Sequence, residues 1–332
     1  MKLISARDDG REKLGFMSGE EIFFLHELDP SIPETMEMFL ADWDRNLLKA
    51  REVFIKTGND KNAKGNRPEN MTILAPVTRP GSLRDGYAFR QHVETARRNR
   101  GVPMTPVFDE FPVFYFGNHR TVSGPGEITC MPDHFEQLDF ELEVAAVICR
   151  HGKNIRAEDA EDYIGGLMIM NDFSARRLQM EEMQLNLGPA KGKDFATTTG
   201  PWLTTTDELE SYLTTPTEGH TGRQWNLHME ARVNERILSS GSLKDMQWTF
   251  AELIERAAYG VDLFPGDIIG SGTVGTGCLL ELNGTGKLHD PSFRPQWLQE
   301  GDLVELEVQG LGILQNRIRR SGEKLSLFSL KK

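Results

Sequence analysis

The chain has 332 residues, 38% hydrophobic and 27% charged. That is the composition of an ordinary globular protein, with room for one large domain and a small one. A formal net charge of −12 argues against a nucleic-acid-binding surface, which would be basic, and no apolar run approaches the ~18 residues of a membrane span. The start, MKLISARDDGREKLGF, has no apolar core of a secretory signal. The 3 cysteines, Cys130, Cys149 and Cys278, are odd in number and contain no C-x-x-C pair. A reducing cytoplasm is therefore expected, and a zinc–thiolate site is not.

Residues 2–25 read as strands around a DDG turn. A helix should follow, with Ser31 as N-cap and Pro33 in its first turn. Met36, Phe39, Leu40, Trp43, Leu47 and Leu48 recur at helical spacing and read as core, and Gly58 ends the run. GNDKNAKGNRPEN is polar and breaker-rich, so it reads as a linker. Residues 1–72 are thus expected to form a small N-terminal α/β domain, and 73–332 a second domain. From MTILAPV onward, short strands alternate with Gly, Pro and Asn turns. Helices are expected only at 86–100, 157–165 and 247–258. The class is α+β, mainly β, without regular β–α alternation.

The stretch LDFELEVAAVI places Asp139, Glu141 and Glu143 on one face of a strand, roughly 7 Å apart at alternate positions. Beyond Val144 both faces turn apolar, as in a strand buried on both sides. Such a row of acids is either a solvated face or a site for a cation. Asp172 ends the apolar strand GLMIMND, a position suited to ligation of a hard ion. Asp85 precedes His92 by two helical turns if the helix reaches that far back. This histidine is either a partly exposed helix residue or a general base, the role histidine suits near neutral pH. In LGPAKGKDFATTTGPW, Lys191 and Lys193 are either solvated or placed to stabilise an oxyanion. GSGTVG matches G-x-G-x-x-G, but TGCLLELNGTGK after it reads as a strand and a turn, which argues against a dinucleotide fold. Its glycines instead let backbone approach a ligand or bend a strand. G-x-S-x-G and H-E-x-x-H are absent.

RPGSLRDGYAFRQHVETAR, FELEVAAVI, NDFSARRLQ, LGPAKGKDFATTTGPW, GDIIGSGTVGTG and DLVELEVQGLGILQNRI occur in this order over residues 73–320. Together they resemble the fumarylacetoacetate hydrolase family. The resemblance implies a mixed β-roll catalytic domain, usually a homodimer, and a Mg²⁺ ion replaceable by Ca²⁺ or Mn²⁺. It implies Glu141, Glu143, Asp172 and Asp85 as metal ligands, His92 as base, Glu281 as the group orienting it, and Lys193 as oxyanion stabiliser. Tyr87, Arg176, Gln179 and Thr273 match substrate-contacting positions, and Asp139 is expected at the rim. The implied activity is hydrolysis of the C–C bond of a β-diketo acid, of fumarylacetoacetate or acylpyruvate type, in aromatic-compound catabolism. Water activated by His92 would attack a metal-bound carbonyl. The alternative is a 2-oxo-acid decarboxylase, hydratase or isomerase using the same site. The partner is a small oxo-acid, with no nucleic acid and no membrane. The chain departs from the family at Met183, where a substrate tyrosine is expected. It departs again near Gly101, where an arginine is expected and Arg97, Arg98 or Arg100 could substitute.

Overall fold

The computed structural model describes residues 1–60 and 62–330. It is 29% helical and 32% strand, an α+β fold as the sequence predicts. Its largest element is an 11-stranded sheet. From one edge the main path runs through Glu21–Phe24, Arg11–Ser18, Lys2–Asp8, Thr197–Thr205 and Ile164–Asp172. It continues through Leu142–Ile148, Ile268–Gly270 and Leu83–Gly86 to Phe114–Gly117. Neighbours on this path are antiparallel except Ile268–Gly270 beside Leu83–Gly86. A second, 5-stranded sheet holds Arg236–Ser242, His228–Val233, Leu303–Val308, Gly312–Arg320 and Gly126–Cys130.

The strand Leu142–Ile148 is buried on both faces, as its apolar run predicts. Val144, Ala146 and Ile148 join a core shared with the second sheet and with helix Phe250–Ala258. Ala145 and Val147 face the opposite core, with Phe39, Trp43 and Leu47 of the N-terminal helices. Residues 1–72 therefore contribute Lys2–Asp8 to the main sheet and cover one of its faces.

Several local expectations are corrected. A short helix, Leu25–Leu28, follows the strands, and the helix expected after Ser31 begins later, at Met36–Leu40 with Thr35 as its cap, then restarts as Trp43–Asn59. Ser31 precedes the Ile32–Pro33 step, and a residue before proline is held out of the α region. The helix expected over 86–100 spans Arg90–Asn99, and Asp85 lies on a strand. That over 247–258 is Phe250–Ala258, started by a capping box of Thr249 and Glu252. Residues 157–165 supply only the single 3₁₀ turn Ala160–Tyr163.

The largest correction concerns LLELNGTGKLH, which is a helix, Leu279–His289. Its first amides, Leu279 and Leu280, donate to the two oxygens of Asp139 at 2.7 and 2.9 Å. A carboxylate from far along the chain thus caps the helix. Gly284 lets it lie against helix Arg90–Asn99: a Cβ there would sit 2.4 Å from the Asn99 amide nitrogen. A helix does follow GSGTVG, but the sheet around it is largely antiparallel, so the dinucleotide fold is still excluded. No helix among the described residues is long and apolar enough to cross a membrane.

Candidate active site

Three carboxylates from different elements converge in the interior. Asp85 comes from Leu83–Gly86, Glu143 from Leu142–Ile148, and Glu141 from the bend just before that strand. One oxygen from each lies within 4.8 Å of the others, and all three residues are buried. The bend is held by Asn171, whose Oδ1 accepts from the Glu141 amide at 3.1 Å.

Partners for this charge are few. Asp85 accepts from the Gly272 amide at 3.1 Å, and Glu143 Oε1 accepts from the Thr273 hydroxyl at 3.1 Å. Glu143 Oε2 is buried with no donor facing it. Burial, and then the charge of Asp172, push the Asp85 carboxyl up to about 8. Burial, then the charges of Asp85 and Glu141, push Glu143 well above the usual carboxylate range. Without a cation, a proton shared between Asp85 and Glu143 relieves this repulsion. An all-oxygen cluster with an unpartnered buried carboxylate oxygen fits a hard divalent cation such as Mg²⁺, Ca²⁺ or Mn²⁺.

The GSGTVG glycines serve this cluster. A Cβ on Gly270 would lie 2.4 Å from Asp85 Oδ1, and Gly272, with φ +78°, presents its amide to the same oxygen.

Beside the cluster sits a cationic frame. The Lys193 ammonium bridges Glu141 and Asp172, donating to Asp172 at 2.6 Å. Arg176 donates to Glu141 at 2.7 Å, to Asp139 at 2.8 Å and to Gln179 Oε1 at 3.0 Å. Burial works against ionisation of Glu141, but Lys193 and Arg176 outweigh it and hold the carboxyl at about 2. Asp172 also accepts from the hydroxyls of Tyr115 and Thr197. Its nearest charge is thus Lys193, and it stands outside the group of Asp85, Glu141 and Glu143. Asp139, expected at the rim, is instead fully buried between Arg176 and the helix it caps. Of the two lysines, Lys191 is an exposed partner of Asp194, whereas Lys193 is buried in the site.

His92 Nδ1 lies 2.7 Å from Glu281 Oε2, and the Tyr87 ring packs edge-on to the imidazole with centroids 5.8 Å apart. A carboxylate only accepts, so Nδ1 carries the proton and Nε2 is left as the basic atom. A cavity of 670 Å³ is lined by every predicted site residue except Asp172. Arg97 and Arg100 line it as well, near the position where the family carries an arginine, while Arg98 turns to Thr285. Sequence reasoning missed Tyr115, Asn171 and Thr197. Each acts by a hydrogen bond to a residue distant in sequence, and no local pattern marks them.

The fold and the site define an α+β scaffold with a buried carboxylate cluster suited to a cation, and comparison with known proteins places it. The model of the fumarylacetoacetate (FAA) hydrolase C-terminal family matches residues 82–319, and the chain belongs to that family. It is 30% identical over 308 residues to the mitochondrial oxaloacetate tautomerase Fahd2a of Rattus norvegicus, covering 90% of this chain and 84% of the relative. The oxaloacetate tautomerase YisK of Bacillus subtilis is 30% identical over 300 residues, 89% of each chain. Among solved structures, the fumarylacetoacetate hydrolase of Exiguobacterium antarcticum superposes with a TM-score of 0.67 at 23% identity, covering 97% of this chain and 100% of that one. The protein is thus an enzyme of this superfamily, whose members generally bind a divalent metal.

Proposed function

We propose that the protein is a divalent-metal-dependent tautomerase or isomerase of small 2-oxo acids, of which oxaloacetate is the type. The observation that carries this reading is the opening of the His92–Glu281 pair and the carboxylate cluster onto one cavity. Asp85, Glu141 and Glu143 form the core of the metal site, and Asp172, joined to Glu141 through Lys193, stands as its fourth carboxylate. When bound, the cation's contribution is Lewis acidity toward the oxygens of a 2-oxo acid, which makes the adjacent C–H more acidic.

The chain's own groups do the rest. Nε2 of His92 takes the C3 proton and delivers it to the C2 oxygen, and in the reverse direction takes the enol hydroxyl proton and delivers it to C3. Glu281 fixes the ring and stabilises its protonated form. Lys193 offsets the charge that develops on the enolate oxygen. Arg176 and Gln179 orient the substrate carboxylate, and Tyr87 and Thr273 limit its placement.

Hydrolysis of a diketo acid, the first expectation from the family resemblance, needs a water held between His92 and the carbonyl. Enolisation needs only the base, and the tautomerase relatives support it. The homodimer expected from the family belongs to this reading, and light scattering on the purified protein checks it.

The deciding experiment follows enol oxaloacetate by ultraviolet absorbance, with Mg²⁺ and with EDTA, beside acylpyruvate cleavage. Chelator-sensitive acceleration of the enol–keto exchange is expected. Cleavage of an acylpyruvate with no effect on oxaloacetate would sink the tautomerase reading in favour of the hydrolase.

A further inference from the structure

Next to the all-oxygen cluster lies a second group of donors with different chemistry. His92, Cys278 and Glu281 each place one ligand atom within 4.8 Å of the others, and all three are buried. Cys278 is the residue before helix Leu279–His289, and Glu281 lies in its first turn. His92 reaches them from helix Arg90–Asn99. His92 and Glu281 line the cavity, so an ion entering it meets them first, with the thiol behind.

We infer that His92, Cys278 and Glu281 form a second cation site, selective for a thiophilic divalent ion such as Zn²⁺, whose occupation withdraws the base from catalysis. One nitrogen, one sulfur and one oxygen donor suit tetrahedral zinc, with the fourth position open to water from the cavity. Zinc bond lengths require neighbouring donors about 3.3–3.8 Å apart. The three donors already lie within 4.8 Å of one another, and His92 Nδ1 and Glu281 Oε2 as near as 2.7 Å, so small side-chain rotations bring them to these spacings. Binding displaces the thiol proton to solvent, and where the ion takes Nδ1 the ring proton moves to Nε2, which is then no longer a base. Mg²⁺, which prefers oxygen, is held by the neighbouring carboxylates instead. The two sites thus sort ions by softness. Sequence spacing carried no sign of the second, because its ligands combine residue 92 with residues 278 and 281 from another helix. Inhibition rests on the proton-transfer role proposed for His92, whereas binding does not.

The test uses the whole protein saturated with Mg²⁺, so that the carboxylate cluster is occupied. Co²⁺ is added as a spectroscopic stand-in for Zn²⁺. A near-ultraviolet sulfur-to-cobalt charge-transfer band is expected, and it should be absent in Cys278→Ser and in Cys278→Ala. Zn²⁺ affinity, measured by competition with a chromophoric chelator, should fall at least ~10-fold in both variants. A partner outside a ligand set is already worth about 10–100-fold. Both variants should keep their Mg²⁺-dependent turnover, and their half-inhibition by Zn²⁺ should shift by the same factor. Absence of the band in the unaltered protein, or equal Zn²⁺ affinity in all three proteins, overturns the site. If the band behaves as expected but zinc leaves turnover untouched, the site stands, its inhibitory role is overturned, and the role of His92 must be revised.

Discussion

Glu281 Oε2 lies 2.7 Å from Nδ1 of His92 although 189 residues separate them in sequence. Both are buried, and helix Leu279–His289 packs on helix Arg90–Asn99, so the pair is set by two rigid elements. Such a pair fixes the tautomer and the aim of the imidazole together. His92→Gln should lower turnover about 10²–10⁴-fold, the usual worth of a positioned general base. Glu281→Gln keeps the shape but loses the charge. A hydrogen bond to a charged group is worth about 1.5–3 kcal/mol, so a loss of roughly 10- to 100-fold is expected. Its pH–rate profile should also move. Steady-state kinetics on both variants checks this, and full activity in His92→Gln would remove the histidine from the mechanism.

The carboxylate cluster makes a prediction about stability. Glu143 places a buried oxygen against Asp85 and Glu141 with no donor facing it. Glu143→Gln removes the cost of either charging this carboxyl beside its neighbours or holding a proton on it. In EDTA the variant should therefore melt above the unaltered protein. With Mg²⁺ the order should reverse, because the variant gains little from the ion. Thermal melts under both conditions, with calorimetric Mg²⁺ titration, measure this. Equal Mg²⁺ affinity in the two proteins would place the metal elsewhere.

The same cluster fixes the sign of a pH effect. Asp85 is raised to about 8 in the folded, metal-free protein, by burial and by Asp172. Unfolded, an aspartate titrates near pH ~4. Between these values the folded state keeps a proton that the unfolded state has lost, so stability falls as pH rises, by at most about 1.4 kcal/mol per pH unit for one group. Glu141 has the opposite sign. Held at about 2 by Lys193 and Arg176 against the cost of burial, it stabilises above its unfolded value, and that stability is lost as pH falls from ~4 through 2. Melts in EDTA at pH 5 and pH 8 (about one and four units above the unfolded value) should show a decline that Asp85→Asn flattens. An unchanged decline in Asp85→Asn would show that other groups cause it.

Part of the carboxylate cluster was legible because it obeys a strand's period of two. Glu141 and Glu143 alternate with apolar residues just before a run buried on both sides. Asp139 obeys the same alternation yet has another task, capping a helix that begins at Leu279. Nothing near residue 139 records that distant partner. The helix itself was hidden because its glycines and its LLEL run imitate a strand and turn, while its cap comes from elsewhere. Lys191 and Lys193 are two residues apart on one loop. One is solvated and one is buried between two carboxylates, a difference made wholly by tertiary packing. Asp85 stands just before the expected helix 86–100, and whether that helix reached it could not be read locally; its strand Leu83–Gly86 is fixed by pairing with Ile268–Gly270 and Phe114–Gly117.

Asp139→Asn tests the buried frame. Its carboxylate accepts from Arg176 Nε and from the amides of Phe140, Leu279 and Leu280. All four partners are donors, two on each oxygen, so the NH₂ of asparagine would oppose two of them, and Arg176 would lose one of its two ion pairs. Breaking a buried pair typically costs about 3–5 kcal/mol. Retention of Glu141 by Arg176 puts the expectation near the lower end, ~3 kcal/mol. Chemical denaturation measures it, and turnover should fall with it, since the capped helix carries Glu281. A variant with unchanged stability would show that the frame is not held by this carboxylate.

The boundary at residue 72 can be tested by deletion. Lys2–Asp8 pairs with Thr197–Thr205 at Lys2↔Thr204 and Leu3↔Leu203. Phe39, Trp43 and Leu47 cover Ala145, Val147, Met168 and Met170 on the main sheet. Removing residues 1–72 would bare both the edge of Thr197–Thr205 and an apolar face made of the strands that carry Glu143 and Asp172. An exposed edge beside an exposed apolar face promotes association. Residues 73–332 alone are therefore expected to aggregate, or to bind a hydrophobic dye without cooperative melting. A soluble fragment that melts cooperatively and binds Mg²⁺ like the whole chain would establish residues 73–332 as a self-sufficient domain and the N-terminal region as a dispensable cover.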